Sequence, residues 1–150
     1  MLFVIEDCER NVVDQKAIEV GLSQMKIKSM RMTFSEIYKN HSMDPHSNVL
    51  TVRGKEIGFV YYRCGYQAEQ YTSEDDWETR KVLELSQAIK CPSIDYHLTT
   101  FKKFQQSFCD PEVLKQVLTE KQRFEDLHEK LEPVFQGMWS LENFDEQPSV

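Results

Sequence analysis

"NVLTVRGKEIGFVYYR", residues 48–63, decides how this chain is read. Two runs rich in β-branched and aromatic residues flank Arg53-Gly54-Lys55-Glu56, and Gly54 supplies the positive φ that a tight hairpin turn needs. The second run, Ile57 to Tyr62, suits the inside of a sheet, yet it ends on Arg63, with Gly65 and Tyr66 close behind. A strand that finishes on a guanidinium, a glycine and a phenol is either a solvated edge or the wall of a site.

Towards the N-terminus, "LFVIE" (2–6) reads as a strand and "RNVVDQ" (10–15) as a helix start, with Asn11 as N-cap and Asp14 in capping-box position. Ile18, Leu22 and Met25 recur at helical spacing and predict a buried stripe. "IKSMRM" (27–32) predicts a second strand, and "TFSEIYKN" (33–40) one or two helical turns. These βα units and the hairpin together predict a mixed sheet.

Towards the C-terminus the reading is helical. "SEDDWETRKVLELSQAIK" (73–90) has Ser73 and Asp76 in capping-box spacing and Val82, Leu85 and Ile89 on one face, and Cys91-Pro92 stops it. Phe101, Phe104 and Phe108 predict a buried aromatic stripe, Asp110-Pro111 a helix start, and Thr119 with Gln122 a further cap ahead of Phe124, Leu127 and Leu131. The tail 142–150 is polar and is expected to be loose. One α/β domain spanning 1–150 accounts for the pattern.

Composition excludes several classes. A net charge of −7 without a Lys/Arg stripe argues against nucleic acid. No apolar run approaches the ~20 residues of a membrane span. The first ten residues have no basic n-region and turn acidic, so a cytoplasmic location is expected rather than secretion. Cys8, Cys64, Cys91 and Cys109 contain no C-x-x-C pair, so neither a zinc knuckle nor a redox couple is expected, and all four are expected to be reduced. His41 and His46 suit a polar loop better than a metal site.

Five blocks occur in order: Glu9-Arg10-Asn11-x-x-Asp14-Gln15, Arg63-x-Gly65-Tyr66, Trp77-Glu78-x-Arg80, Lys90-Cys91-Pro92 and Lys102-Lys103-x-Gln105-Gln106. Together they resemble the substrate-binding domain of eukaryotic glutathione synthetases, over about Glu6 to Leu141. The resemblance implies a three-layer α/β/α sandwich with a mixed, mainly parallel sheet, one hairpin and a helical C-terminal part. It also implies an ATP- and Mg²⁺-dependent ligase, a homodimer at full length, that joins γ-glutamylcysteine to glycine through an acyl phosphate held by an ATP-grasp unit.

A γ-glutamylcysteine molecule carries an ammonium, carboxylates and an amide, so its recognition requires an acid, a fork-shaped base and neutral hydrogen-bonding groups. On the resemblance, Arg63 clamps a substrate carboxylate and Tyr66 brings a phenol beside it. Glu9 faces the substrate ammonium, while Asn11 and Gln15 bind its glutamyl end. Lys102 matches a lysine that contacts ATP phosphate. All but Tyr66 have a structural alternative: Arg63 in a surface ion pair, Asn11 as a helix cap, Gln15 and Lys102 in solvent, and Glu9 complementing a helix N-terminus.

The departures are equally definite. There is no glycine-rich phosphate loop, no acid cluster matching the family's Mg²⁺ ligands, and no match for the substrate-binding arginine and serine that precede this segment in the family. The chain is expected to carry no catalytic residue or metal ligand, to supply one wall of an active site that the ATP-grasp half would complete, and to be inactive alone. The competing expectation is a stand-alone binding module of the same fold.

Overall fold

The computed structural model describes residues 1–117, 127, 130–134 and 138. The chain divides into two compact units, Met1–Ile94 and Asp95–Val150. The helix expected from Thr119 through Gln122 and Phe124, and the tail 142–150, lie outside the described residues.

The first unit contains a four-stranded parallel sheet in the order β2 (Met30–Met32), β1 (Leu2–Val4), β6 (Phe59–Tyr62), β7 (Ile89–Cys91). The chain leaves β1 through α1 (Val12–Gln24) to reach β2, and leaves β6 through α3 (Glu74–Leu85) to reach β7 on the opposite side. Right-handed crossovers running in opposite directions put their helices on opposite faces of the sheet. Leu2, Val4, Val60 and Tyr62 point into one core with Leu83 of α3 and with Phe34 and Ile37 of α2 (Phe34–Asn40). Phe3 and Tyr61 lie in register on the other face, ring edge to ring face at 5.4 Å.

Helix α2 starts where Glu36 N–H donates to Thr33 Oγ1 at 3.2 Å and Thr33 N–H donates back to Glu36 Oε2 at 3.0 Å. It leads into a small antiparallel sheet of β3 (His41–Met43), β4 (Leu50–Val52) and β5 (Lys55–Glu56). The expected tight turn is present, with φ +49° at Arg53 and +70° at Gly54. Its second arm is only Lys55–Glu56, however, and the chain then leaves this sheet to run parallel to β1 as β6. Burial drives the switch: Ile57 stays in the core beside Leu50 and Val52, and Val60 and Tyr62 fill the central strand.

Two expected helix faces and one expected helix end turn out differently. In α1 the buried residue is Gln15, whereas Ile18 is 38% and Met25 64% exposed. The helix "73–90" ends at Leu85; Ser86 to Ala88 turn, and Ile89–Cys91 form the edge strand β7. The buried face of α3 is Asp76, Thr79, Arg80 and Leu83; of the expected stripe, Val82 packs partly buried against the core, whereas Leu85 and Ile89 are exposed. Helical spacing counted apolar residues without weighing the polar ones, and here hydrogen-bonded polar groups take the buried positions.

In the second unit the described elements are α4, which enters it from Ile94 and runs to Thr99, α5 (Lys102–Ser107), α6 (Pro111–Val117) and a 3-10 turn at Glu132–Val134. Phe101 and Phe104 are 42% and 40% exposed, so the aromatic stripe is not fully buried, although Phe104 packs edge-on against Phe108 at 5.1 Å.

Candidate functional site

At β1 and β6 the crossovers part, one to each side, which opens a crevice at the carboxyl ends of these strands, where open α/β sheets bind ligands. Residues 5–15 leave β1 on one side of it and residues 63–71 leave β6 on the other. Arg63 N–H donates to the Val4 carbonyl at 2.8 Å, so the two exits are pinned together.

On the β1 side, Glu9 Oε1 accepts the Asn11 N–H at 2.8 Å. Asn11 occupies the N-cap position, but its side chain makes no cap bond, so the expected competition between capping and ligand contact does not arise. Burial pushes the Glu9 carboxyl up, but the Gln15 side chain, the Asn11 N–H and the guanidiniums of Arg63 and Arg31 outweigh it and hold the pKa below its ordinary value. Glu9 Oε2 is buried and without a hydrogen-bond partner. Gln15, 1% exposed, lies beside this carboxylate.

On the β6 side, Arg63 is half-buried, with its guanidinium 5.8 Å from the centre of the Tyr61 ring. It forms no ion pair among the described residues, and its Nε is buried without a partner. The Tyr66 hydroxyl donates to the Tyr62 carbonyl at 2.7 Å. Its one hydrogen is thereby used, so the hydroxyl is left as an acceptor rather than as a donor to a carboxylate. Burial pushes its pKa up, and the Arg63 charge partly offsets this.

The segments that leave β1 and β6 thus carry Glu9, Asn11, Gln15, Arg63 and Tyr66, with Glu9 and Tyr66 both in the field of the Arg63 guanidinium, whereas the cavity at these strand ends is lined by other residues, among them Glu6, Cys8, Cys64, Gln70 and Asp76. Lys102 lies in the second unit, exposed on α5, where its Nζ donates to Gln105 Oε1 at 3.1 Å. Among the described residues no three His, Cys, Asp or Glu side chains are placed to hold a metal ion.

Arg31 escaped the reading of the sequence, and Arg80 entered it only as a member of the Trp77-Glu78-x-Arg80 block, with no role. Arg31 sits in register with Phe3, on the same sheet face as Tyr61, and "MRM" carried the signal: alternation sends Arg31 to the face opposite the methionines. Arg80, 7% exposed, lies 4.1 Å from the Tyr62 ring centre; its Nε donates to Glu84 Oε1 at 2.8 Å and its Nη1 to Tyr71 Oη at 3.0 Å and the Gly65 carbonyl at 3.3 Å. Gly65 adopts φ +81°, and a Cβ there would lie 2.7 Å from Tyr71 Oη. Phe34, Tyr71 and Trp77 stack behind this loop, Tyr71 and Trp77 at 3.7 Å.

Comparison with known proteins places these features. The family model described as eukaryotic glutathione synthase matches residues 1–99. A glutathione synthetase of Dictyostelium discoideum is 40% identical over 154 residues, covering 100% of this chain and 32% of its own length. The Homo sapiens enzyme is 37% identical over 142 residues, 95% of this chain and 29% of its own. Among solved structures, a glutathione synthetase-like effector of Globodera pallida in apo form superposes with a TM-score of 0.62 at 20% identity, over 88% of this chain and 29% of its own, which bears on the fold alone. Spanning about a third or less of the curated relatives it matches, the chain belongs to the eukaryotic glutathione synthase family.

Proposed function

We propose that the chain is the substrate-binding part of a glutathione synthetase and holds the glutamyl end of γ-glutamylcysteine in the crevice between Glu9 and Arg63. The observation that carries this reading is a pair of opposite charges at neighbouring strand ends: the Glu9 carboxylate lies in the field of the Arg63 guanidinium, and Arg63 makes no ion pair among the described residues and has a buried Nε without a partner. Buried polar atoms are paired as a rule, so an unpaired guanidinium near a carboxylate suits a ligand with both a carboxylate and an ammonium. A rigid acid, fork and amide would fix such a molecule in one pose.

In the full enzyme, ATP and Mg²⁺ would activate the cysteinyl carboxylate for attack by glycine. Those groups would be held by an ATP-grasp half, with Lys102 contributing to ATP phosphate, within a homodimer and in the cytoplasm. Cys8, Cys64 and Cys91 are unbridged, which suits a reducing compartment.

The test is a titration of γ-glutamylcysteine into the isotopically labelled 150-residue chain, followed by NMR. Shifts are expected at residues 9–15 and 63–66, with a Kd on the order of 1 mM, about −4 kcal/mol, because only part of the site is present. Arg63→Met and Glu9→Gln should each weaken binding at least about tenfold. No shift at these residues, or shifts unaffected by both substitutions, overturns the reading. Micromolar affinity would instead mark a self-sufficient binding module.

A further inference from the structure

Beyond the backbone bond from Arg63 to Val4, a side chain ties the two exit segments together. Gln70, on the β6 side, donates from Nε2 to Glu6 Oε1 on the β1 side. Its Oε1 is used at the same time, accepting the Tyr66 N–H at 2.7 Å and the Gln67 N–H at 3.2 Å. Glu6 and Gln70 both line the cavity of about 280 Å³ at these strand ends, so hydrogen bonds rather than packed side chains join the segments at this level.

The residue type follows from these bonds. A side chain at this place has to accept from two backbone N–H groups and donate to a carboxylate. An ionised carboxylate cannot donate and an ammonium cannot accept, whereas an uncharged amide does both. The bond to Glu6 has a charged acceptor, which makes it one of the stronger kind. Glu6 lies three residues before Glu9, and Tyr66 is held by Gln70 directly. A ligand whose ammonium and carboxylate keep a fixed separation is bound well only if the protein's acid and guanidinium keep theirs. We propose that Gln70, clasped to Glu6, is a positioning residue for γ-glutamylcysteine: it fixes the segment carrying Glu9 against the segment carrying Arg63 and Tyr66. The proposal deepens the γ-glutamylcysteine reading and rests on it for the ligand, but the clasp itself is a property of the unliganded chain.

The experiment compares wild type, Gln70→Met, Gln70→Glu, Glu6→Gln and the double variant Glu6→Gln/Gln70→Glu in the labelled 150-residue chain at neutral pH. Amide hydrogen exchange is read by NMR without ligand, and each protein is then titrated with γ-glutamylcysteine. Gln70→Met changes no charge but removes all three bonds. The Tyr66 and Gln67 amides should then exchange at least about tenfold faster, and binding should weaken at least about fivefold. Gln70→Glu still accepts from both amides but sets two carboxylates against each other, so their exchange should stay slow while binding falls as in Gln70→Met. Glu6→Gln leaves an acceptor in place and should weaken binding less than about threefold. In the double variant amide and carboxylate have changed places and the bond runs in the opposite direction. Binding should return to within about twofold of wild type, a rescue that lost packing alone would not give. Wild-type exchange at Tyr66 and Gln67 in Gln70→Met, unweakened binding in both Gln70 variants, or a double variant no better than Gln70→Glu overturns the proposal. Should Gln70→Met fail to fold, the comparison of Gln70→Glu with the double variant decides it. Exchange that changes as expected while no variant, wild type included, binds γ-glutamylcysteine would sink the substrate reading and leave the clasp standing.

Discussion

Arg80 donates from Nη1 to the Gly65 carbonyl, so a guanidinium from the middle of α3 holds the loop that carries Arg63 and Tyr66. The same side chain binds Glu84 and Tyr71 and lies against the Tyr62 ring. Arg80→Met should therefore cost about 2–4 kcal/mol, because it leaves Glu84 and the Gly65 carbonyl without their cation. Urea denaturation checks this, and loss of γ-glutamylcysteine shifts at residues 63–66 in the still-folded variant would show that the loop has come adrift.

Gly65→Ala should be harmful for two separate reasons. The backbone is at φ +81°, and the new methyl would sit 2.7 Å from Tyr71 Oη and 2.9 Å from Phe34 Cζ. A loss of about 2–4 kcal/mol is expected, read as a lower urea midpoint with little change in slope. Gly54→Ala, where nothing lies within 4 Å of the added methyl, should cost less, since only its φ of +70° opposes it.

Asp76 should make the chain acid-sensitive. Burial pushes its carboxyl up, but bonds from the Thr72 hydroxyl and N–H, the Ser35 hydroxyl and the Ser73 N–H prevail and hold its pKa below its ordinary value. The unfolded chain then binds the proton more readily than the folded one, so the stability is present above the ordinary carboxylate pKa and disappears as the pH falls through the folded value. Asp76→Asn should lower the urea midpoint at pH 7, by an amount equivalent to about 1–3 kcal/mol, and the gap from wild type should narrow between about pH 5 and pH 3.

The cysteines should react in a fixed order. Cys64 is 2% exposed, and burial first, then the charges of Glu6 and Glu9, push its thiol up to about 12. Cys8 and Cys91 are exposed. Alkylation at pH 8 followed by peptide mapping should label Cys8 and Cys91 in the native chain and Cys64 only after unfolding.

The strands and turn near Gly54 were legible because apolar runs and a glycine speak for themselves. The nearness of Glu9 to Arg63 was legible too: placing one after β1 and the other after β6 brings them within electrostatic reach as soon as the two strands are neighbours. What could not be read was orientation. Ile18 and Met25 follow helical spacing yet face outwards, because α1 turns Gln15 and Glu19 to a sheet face that carries Arg31. Nor does local spacing reveal β7, a short edge strand whose Ile89 is 65% exposed and which exists through its pairing with β6. The Tyr66 hydroxyl bond to Tyr62 is a matter of loop geometry that no motif spells out.

The stack of Trp77 on Tyr71 at 3.7 Å has a practical consequence. Tyr71 is itself bonded to the Gly65 carbonyl at 3.0 Å, so the indole is wired to the loop that bears Arg63. With only two tryptophans in the chain, replacing Trp139 by phenylalanine would leave Trp77 as a single intrinsic fluorophore. Its emission intensity would then report, without any attached label, each time that loop moves against the aromatic stack.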